Sequence, residues 1–239
     1  MSDRPVALIT GAAGGLGRVM AADLAADGFD LALVGSNAER LDALRGDLSL
    51  EPDQAMTVAA NLGDADAATA AIDAVYERFG RVDVLAHLVG GWTGGMTVAR
   101  SPDEPFATMI DQHLWTTLNV TRELTPRMVE AGSGRVVAVS SPLAANPEAG
   151  MAAYAVGKAA MEALLTALAE EVNGTGVSVN VVRVRSIDTS AAPGARSEMP
   201  YATTTAEISA AIRYLISNEA GVISGQRIGL HGSLERPAS

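Results

Sequence analysis

Three side chains suited to proton transfer lie close together in the second half of the sequence. Ser141 follows an apolar, β-branched segment, Tyr154 comes thirteen residues later, and Lys158 lies four residues beyond Tyr154. Positions i and i+4 share one face of a helix, so this spacing places the Lys158 ammonium near the Tyr154 phenol. A nearby cation lowers the phenol pKa from about 10 toward neutral pH, which makes the phenol a usable general acid. Ser141 is a candidate hydrogen-bond partner for the substrate oxygen, where negative charge develops.

The segment Thr10–Arg18, called the glycine turn below, follows the first apolar strand and runs into a helix. Glycines permit a tight turn and let backbone N–H groups approach a pyrophosphate, while the helix N-terminus adds partial positive charge. Many such turns contain glycine for steric reasons alone, but a position after the first strand of a βαβ unit favours nucleotide binding. The predicted cofactor-binding residues in the turn are Gly11, Gly14, Gly15, Leu16 and Gly17.

Short apolar strands alternate with longer helical patterns along almost the whole chain. Near-continuous apolar strands are typical of a parallel sheet that is covered by helices on both faces. The predicted strands are Val6–Thr10, Leu31–Val34, Met56–Ala59, Val82–Val89, Arg135–Ser140, Val177–Val182 and Gln226–Leu230. The predicted helices are 15–27, 38–48, 64–79, 103–131, 152–173 and 206–217.

This alternation predicts an α/β fold, a single Rossmann domain over residues 1–239. Its doubly wound, mostly parallel sheet is expected to lie between two helical layers in a three-layer αβα arrangement. In open sheets of this kind, ligands bind beyond the carboxyl ends of the strands. Two turn-rich loops, Gly90–Gly95 and Ser190–Thr205, follow strands and are therefore expected to border the site.

Composition argues against several classes of function. The formal net charge is −11 and no Lys/Arg run supplies a cationic face, so nucleic acid is not an expected partner. The absence of cysteine excludes disulfides and thiolate metal sites, and no metal site is predicted. We find no charged-then-apolar leader and no uninterrupted apolar stretch long enough to cross a bilayer, so we expect a cytoplasmic protein without membrane contact.

Taken alone, Tyr-x-x-x-Lys often occurs by chance and Ser-Ser commonly ends a strand, but the combination resembles the short-chain dehydrogenase/reductase family over nearly the whole chain. The matching residues are Thr10, Gly11, Gly15 and Gly17 in the turn, and Ser141, Tyr154 and Lys158 in the catalytic set. The resemblance implies hydride transfer between a nicotinamide and a small carbonyl or alcohol, with Tyr154 relaying the proton. It also implies that Lys158 binds the nicotinamide ribose and lowers the phenol pKa, while Ser141 holds the carbonyl.

The same resemblance implies further cofactor contacts. Asn61 and Leu62 lie where the family contacts adenine, with Asn61 in place of the commoner Asp. Ile187 and Thr189 match positions that contact the nicotinamide carboxamide, and Gly90 is retained from the family's Asn-Asn-Ala-Gly strand end. The long helices predicted at 103–131 and 152–173 correspond to subunit contacts in the family, which implies a homodimer or homotetramer.

The sequence departs from the family in three places. The fourth strand ends in His87-Leu88-Val89-Gly90, the helical Asn of the family's proton relay aligns with His113, and Val184-Arg185 replace the usual Pro-Gly. These departures, with the Gly90–Gly95 segment, are similar to the branch that contains the dihydropteridine reductases. Unlike those reductases, this chain keeps the catalytic Ser141.

Three of the unusual residues each leave two interpretations open. His113 replaces the relay Asn as a catalytic group with a pKa near about 6.5, or it packs locally on its helix. Arg185 binds an anionic substrate, or it pairs with Asp188 or another acid. Trp92 stacks on a planar substrate, or it packs in the loop or against a subunit.

The end of the second strand bears on the choice between the two nicotinamide cofactors. An acidic residue there would chelate the adenosine ribose and favour NAD. Gly35 occupies that place, so nothing at the position repels a 2′-phosphate, and Ser36 and Arg40 follow it. NADP is therefore the predicted cofactor, with NAD as the alternative.

The leading hypothesis is an NAD(P)-dependent oxidoreductase that acts on a small carbonyl or alcohol. The first alternative is a nucleotide-binding scaffold protein in which the altered strand ends mark lost catalysis. The retained Ser141, Tyr154 and Lys158 argue against it, because a protein that only binds nucleotide has no need of the phenol. A structural subunit of a larger assembly is a third hypothesis.

Overall fold

The computed structural model describes residues 4–191, 195, 197–199 and 201–232. Its strands are β1 Val6–Thr10, β2 Asp30–Gly35, β3 Ala55–Ala59, β4 Val84–His87, β5 Gly134–Ser140, β6 Val177–Val184, β7 Ser186–Asp188, β8 Ala202–Thr204 and β9 Arg227–Leu230. Its α-helices are α1 Gly15–Ala26, α2 Ala38–Asp47, α3 Ala65–Phe79, α4 Asp103–Ile110, α5 Thr116–Glu130, α6 Ala152–Glu171 and α7 Thr205–Ile216. A five-residue π-helical segment, Asp111–Trp115, joins α4 to α5 and is called the π turn below.

Among the described residues, one sheet of seven parallel strands has the order β3-β2-β1-β4-β5-β6-β9. A separate parallel pair, β7 with β8, lies outside this sheet. The strand order reverses between β1 and β4, so the chain leaves these neighbouring strands in opposite directions. Such a switch point opens a crevice beyond the carboxyl ends of the strands. The glycine turn follows β1 and the Gly90–Gly95 loop follows β4 at this crevice.

Two apolar clusters, one on each face of the sheet, form the core. Helices α3, α5 and α6 bury residues such as Ile72, Leu124 and Leu165 in one cluster. Helices α1, α2 and α7 bury residues such as Met20 and Ile212 in the other. The sheet is thus enclosed on both sides, and the predicted three-layer Rossmann architecture is confirmed.

Local sequence signals define several helix boundaries. The Asp64 side chain accepts a hydrogen bond from the Ala67 backbone N–H at the start of α3, and Gly80 ends the helix with a φ of 77°. Thr204 and Glu207 form a reciprocal capping box at the start of α7. These signals lie in the sequence itself, and the helix positions were accordingly predicted to within a few residues.

Three predicted boundaries are wrong. The helix expected over 103–131 is divided by the π turn, because the backbone there takes a wider turn in which His113 is buried. The strand predicted over Val82–Val89 is shorter, since its neighbour β1 turns away after Thr10. The stretch Ser190–Thr205, predicted as a loop, contains β8; residues 192–194, 196 and 200 of that stretch lie outside the described residues.

Helix α6 meets the length and hydropathy expected of a membrane span, with a mean hydropathy of 1.2, and it is the one described helix that does so. In the fold it packs against the sheet and the π turn, and it places Lys158 and Glu162 in buried positions. Its apolar character thus serves the core cluster that contains Met161 and Leu165.

Candidate active site

Two adjoining clefts open at the carboxyl ends of the strands, and Leu88, Val89 and Gly90 line both of them. The first cleft has a volume of about 540 Å³ and is bordered by Tyr154 and Lys158. The second has a volume of about 450 Å³ and extends from the glycine turn toward the end of β2. Together they form one elongated depression across the switch point of the sheet.

Two residues of the predicted catalytic set, Tyr154 and Lys158, line the first cleft, and Ser141 is buried next to Tyr154. Tyr154 and Lys158 lie one turn apart on α6, and Ser141 follows β5 in a buried position. The Ser141 hydroxyl accepts a hydrogen bond from the Leu143 backbone N–H at 3.3 Å, which orients it at the start of a short 3₁₀ turn. The Lys158 ammonium donates to the carbonyl oxygen of Val139 at 2.8 Å. Burial lowers the Lys158 pKa to about 8, although Glu162 acts in the opposite direction.

The pKa of Tyr154 is raised in the structure, whereas the sequence predicted that Lys158 would lower it. Burial raises the pKa of Tyr154 above its usual value of 10.0, and a hydrogen bond with Ser141 lowers it in part. The Lys158 ammonium is engaged with the β5 backbone, and desolvation is the largest influence on the phenol. Tyr154 is therefore protonated at neutral pH in this arrangement.

His113 lies within the π turn, fully buried and in contact with the catalytic set. Its ring meets the Tyr154 ring edge-on, with centroids 5.6 Å apart and planes at 80°. Its Nε2 lies 3.2 Å from the carbonyl oxygen of Gly91, and its Nδ1 is buried without a hydrogen-bond partner. Burial, reinforced by the positive charge of Lys158, lowers its pKa to about 3. The expected pKa near 6.5 is therefore wrong for this residue, because the imidazole is held neutral.

Two glycines allow this close approach of His113. A Cβ at Gly157 of α6 would lie 2.6 Å from the Met109 carbonyl oxygen and 2.9 Å from Cδ2 of His113. A Cβ at Gly90 would lie 3.2 Å from Cε1 of His113 and 3.6 Å from Nζ of Lys158. A side chain at Gly157 would push the π turn away from α6. A side chain at Gly90 would push its loop away from His113 and Lys158.

The glycine turn has the geometry of an anion cradle. Helix α1 begins at Gly15 with no side-chain cap on its first turn, so its leading N–H groups face the cleft mouth unblocked by a capping side chain. Gly11 has a φ of 69°, and a Cβ there would lie 2.9 Å from the Leu88 backbone. A Cβ at Gly17 would meet the Gly11 carbonyl oxygen at 2.4 Å. Both glycines therefore serve the close packing of the turn, and Gly11, Gly14 and Leu16 line the clefts.

Gly15 contacts a second predicted residue. A Cβ at Gly15 would lie 2.6 Å from Cγ2 of Thr189, which follows β7. The turn and the segment after β6 thus meet on either side of the first cleft, and Ile187 lines that cleft. Thr189 therefore lies against the glycine turn, and its predicted contact with the nicotinamide carboxamide stays a prediction.

The second cleft holds the predicted adenosine-side residues. Ser36, Asn61 and Leu62 line it, and its described lining contains no acidic side chain. Arg40 also lines it and donates from Nη2 to the Ala13 carbonyl oxygen at 3.0 Å, which places the guanidinium beside the glycine turn. Gly35 leaves the edge of this cleft without a carboxylate.

The shape and donors of the two clefts fit an extended dinucleotide. The uncapped start of α1 lies between them and suits a pyrophosphate, while the second cleft is of a size for an adenosine and the first for a nicotinamide riboside. Gly14, Ser36 and Asn61 would hold the adenosine half. Lys158, Ile187 and Gly90 would hold the nicotinamide half, where the group would exchange a hydride with a carbonyl carbon.

The rim of the first cleft carries an ion pair. Arg185 lies 3.1 Å from a carboxylate oxygen of Glu148, and its guanidinium stands 5.8 Å from the centre of the Tyr201 ring. Asp188 instead accepts hydrogen bonds from Ser190 and Ser197. The pairing interpretation of Arg185 is therefore correct in kind, with Glu148 as the acid.

Sequence reasoning missed several residues that line the first cleft, among them Leu143, Glu148 and Met151. They lie between β5 and α6, in a segment without a periodic pattern that would predict which side chains face a cleft. Trp92, for which substrate stacking was one of two interpretations, also lines this cleft with 59% of its surface exposed. His87 was noted only as a departure from the family, but it is fully buried beneath both clefts between two threonine hydroxyls.

Comparison with known proteins agrees with this geometry. A family model described as "short chain dehydrogenase" matches residues 5–200. The chain is 30% identical to the acetoacetyl-CoA reductase of Acinetobacter sp. (strain RA3849) over 246 residues, covering 98% of this chain and 99% of the relative. A short-chain type dehydrogenase/reductase from Mycobacterium ulcerans superposes with a TM-score of 0.86 at 26% identity, over 96% of this chain and 89% of that structure.

A further solved structure shows the same fold. The 3-ketoacyl-(acyl-carrier-protein) reductase of Brucella melitensis, complexed with NADH, superposes with a TM-score of 0.85 at 24% identity, over 95% of this chain and 96% of that structure. None of these comparisons supports the predicted similarity to the dihydropteridine reductase branch. The Gly90–Gly95 segment that suggested it supplies Gly90, Gly91 and Trp92 to the wall of the first cleft.

Proposed function

This chain belongs to the short-chain dehydrogenase family as an NAD(P)-dependent enzyme, and we propose that it reduces a small, uncharged carbonyl compound to an alcohol with Tyr154 as general acid. One observation carries the proposal: the phenol of Tyr154 borders the first cleft beside Lys158 and shares a hydrogen bond with Ser141. The scaffold alternative gives no reason for this arrangement.

The proposed reaction uses each member of the set once. The nicotinamide dinucleotide supplies the hydride when it is bound, and this hydride adds to the carbonyl carbon of the substrate. The Ser141 hydroxyl hydrogen-bonds the carbonyl oxygen as negative charge develops there. Tyr154 transfers its phenolic proton to that oxygen, which completes the alcohol. Lys158, one turn from Tyr154 on α6, supplies the positive charge on this side of the cleft.

The phenol carries the proton that carbonyl reduction requires. Burial raises the pKa of Tyr154, so the phenol is protonated and can donate to the substrate oxygen. The reverse reaction, oxidation of an alcohol, would use the same residue as the phenolate.

His113 takes part as a neutral hydrogen-bond acceptor in this proposal. A carbonyl oxygen can only accept, so the contact between Nε2 and the Gly91 carbonyl places the proton on Nε2. The Nδ1 atom has no hydrogen-bond partner. A Cβ placed at Gly90 would lie 3.7 Å from this nitrogen and 3.6 Å from Nζ of Lys158, so both nitrogens border Gly90. His113 is thus held as a neutral ring against Tyr154, with Nδ1 as its unused acceptor.

Two features support NADP over NAD as the preferred cofactor. The described lining of the second cleft has no carboxylate to bind the two ribose hydroxyls and repel a 2′-phosphate. Arg40 reaches the glycine turn from the other side of the cleft and supplies a positive charge near the same place.

The proposed substrate is uncharged because the cation at the cleft rim is already paired. Glu148 and Arg185 face each other at 3.1 Å, both about half exposed, so the rim carries no net charge. The apolar walls formed by Trp92, Leu143 and Met151 suit a carbon skeleton.

Assembly and location remain predictions of ours. An apolar groove between α5 and α6, lined by residues such as Leu118, Val129 and Leu168, is where we expect a second copy to pack in a homodimer or homotetramer. The cytoplasmic location and the absence of nucleic-acid and membrane partners, which were expected from the sequence, stay predictions.

The proposal is tested by steady-state turnover of neutral diketones, quinones and aldehydes with NADPH and with NADH. We expect turnover that depends on Tyr154 and is faster with NADPH. Tight dinucleotide binding without turnover of any compound would contradict the proposal and favour the scaffold alternative.

A further inference from the structure

His87 ends β4 and lies fully buried between the glycine turn and the helix that follows the π turn. Its Nδ1 lies 2.9 Å from the Thr10 hydroxyl, at the end of β1. Its Nε2 lies 3.0 Å from the Thr117 hydroxyl, in the first turn of α5. One imidazole thus bridges the strand that leads into the glycine turn and helix α5, which follows the π turn of His113.

The neighbouring contacts fix the proton on this ring. The Thr117 hydroxyl lies 2.6 Å from the His113 carbonyl oxygen, which can only accept, so the hydroxyl proton is used there. His87 Nε2 must therefore donate to the Thr117 oxygen. Its Nδ1 is then an acceptor and receives the proton of the Thr10 hydroxyl.

The chain of hydrogen bonds ends at a backbone group on each side, the Leu88 N–H and the His113 carbonyl. The Thr10 oxygen accepts from the Leu88 N–H at 3.3 Å, which anchors the wall shared by both clefts. At the other end, the Thr117 hydroxyl holds the carbonyl of His113 within the π turn. Every group in this chain has a defined role as donor or acceptor, so the chain admits one tautomer of His87 only. Burial, together with the charge of Lys158, lowers the His87 pKa to about 3 and is consistent with a permanently neutral ring.

We propose that His87 is a positioning residue that ties the dinucleotide turn to the π turn, its Thr10 bond fixing the cofactor side and its Thr117 bond fixing His113 against Tyr154. The inference rests on the proposed function, because it assigns the two bonds to cofactor binding and to catalysis respectively.

Two substitutions separate the two bonds. In His87→Asn the amide oxygen occupies the place of Nδ1 and keeps the Thr10 bond, but the side chain is too short to reach Thr117. In His87→Gln the amide nitrogen reaches the place of Nε2 and keeps the Thr117 bond, but the Thr10 bond is lost. We expect kcat to fall about tenfold in His87→Asn with the NADPH Kd nearly unchanged, and the NADPH Kd to rise about tenfold in His87→Gln with a smaller loss of kcat.

A matched pair of threonine variants distinguishes loss of the contact with His87 from a general loss of structure. Thr117→Val removes the hydroxyl that joins His87 to His113 while keeping the shape of the side chain. Thr121→Val removes a hydroxyl with the same kind of bond one turn later, to the Thr117 carbonyl oxygen at 2.7 Å, without contact to a histidine. Thr117→Val should reproduce the kinetic effect of His87→Asn, and Thr121→Val should behave as the wild type. Equal effects of the two valine variants would overturn the proposal.

Nitrogen-15 NMR of the full-length protein reports the tautomer and protonation state of each histidine ring and does not depend on enzymatic turnover. The chain has only three histidines, so each ring is assignable by single substitution. We expect His87 to show the Nε2–H neutral tautomer from pH 5 to 9, and Thr117→Val, but not Thr121→Val, to move the ring signals of His113. An Nδ1–H tautomer or a protonated ring at His87 would overturn the inference. If the tautomer is as expected but no carbonyl is reduced, the failure belongs to the proposed function, and the NADPH Kd of His87→Gln still tests the bond to the glycine turn.

Discussion

The His113 imidazole meets the Tyr154 phenol edge-on, with ring centroids 5.6 Å apart and ring planes at 80°. His113 comes from the π turn and Tyr154 from α6, so the contact joins two helices that the sequence separates by forty residues. Edge-to-face packing restricts the tilt of the phenol without using its hydroxyl. The hydroxyl therefore stays available for Ser141 and for the substrate oxygen.

Tyr154→Phe should abolish most of the carbonyl reduction because it removes the proton donor. We expect kcat to fall about 10²- to 10⁴-fold, the usual contribution of a positioned general acid. The phenyl ring keeps the contact with His113, so NADPH affinity should stay within about twofold of the wild type, as measured by fluorescence titration. Wild-type turnover in this variant would refute the assignment of Tyr154.

Gly157→Ala should disrupt the site through packing alone. The added Cβ would lie 2.6 Å from the Met109 carbonyl oxygen and 2.9 Å from the His113 ring, so the π turn must move away from α6. We expect a loss of roughly 1–3 kcal/mol in the free energy of unfolding, typical of overpacking, and a lower kcat.

Gly46→Ala in α2 is the matched control for this substitution. No atom lies within 4 Å of a Cβ placed at Gly46, so the same change should stabilise the protein by up to about 1 kcal/mol. Denaturant unfolding and turnover of both variants check the pair. Equal stability changes would mean that the contact with His113 does not restrict this position.

The buried Lys158 should make stability depend on pH in a defined window. Its pKa is lowered from 10.5 to about 8, so between these values the unfolded chain binds more protons at this site than the folded chain does. The free energy of unfolding then rises with pH from about 8 to about 10.5, by up to roughly 3 kcal/mol from this residue. Below pH 8 both states are protonated and the contribution is constant.

Lys158→Met isolates that contribution from other groups that titrate at high pH. The difference between the unfolding free energies of wild type and variant, measured by urea denaturation from pH 7 to 10.5, should grow in favour of the wild type above pH 8. A difference that stays flat over this range would show that Lys158 keeps an ordinary pKa in the folded protein.

Glu148→Gln should change selectivity toward charge. The substitution keeps the size of the side chain but leaves Arg185 at the cleft rim without its carboxylate partner. The ratio of kcat/KM for acetoacetate to that for its neutral ethyl ester should rise about two- to fivefold, as expected for a half-exposed ion pair. An unchanged ratio would show that Arg185 does not face the bound substrate.

Gly35→Asp should shift cofactor preference toward NADH. A Cβ at Gly35 has its nearest neighbour, Cδ2 of Leu41, at 3.5 Å, so the position accepts a side chain. The carboxylate would bind the adenosine ribose of NADH and repel the 2′-phosphate of NADPH. We expect the ratio of the NADPH Kd to the NADH Kd to rise at least about tenfold, with Gly35→Asn, which has no charge, as the control. Equal ratios in both variants would move the adenosine ribose away from Gly35.

Much of the site could be predicted from local sequence. The glycine turn, Ser141, Tyr154 and Lys158 lie on three elements whose types follow from apolar periodicity, and parallel strands bring their carboxyl ends to one edge. The fold class follows from the same alternation of strands and helices. The spacing of Tyr154 and Lys158, together with the family resemblance, therefore predicted a catalytic set, and Tyr154 and Lys158 line the first cleft.

What the sequence determined by itself was the order of elements and the identity of the reactive groups, because periodicity, caps and glycine turns act over a few neighbouring residues. The tertiary structure decided their chemical state. The pKa of Tyr154 rises and that of His113 falls because distant segments bury them, and no local pattern encodes that burial. The π turn within the predicted helix and the bridge from Thr10 through His87 to Thr117 depend likewise on contacts between residues far apart in the chain.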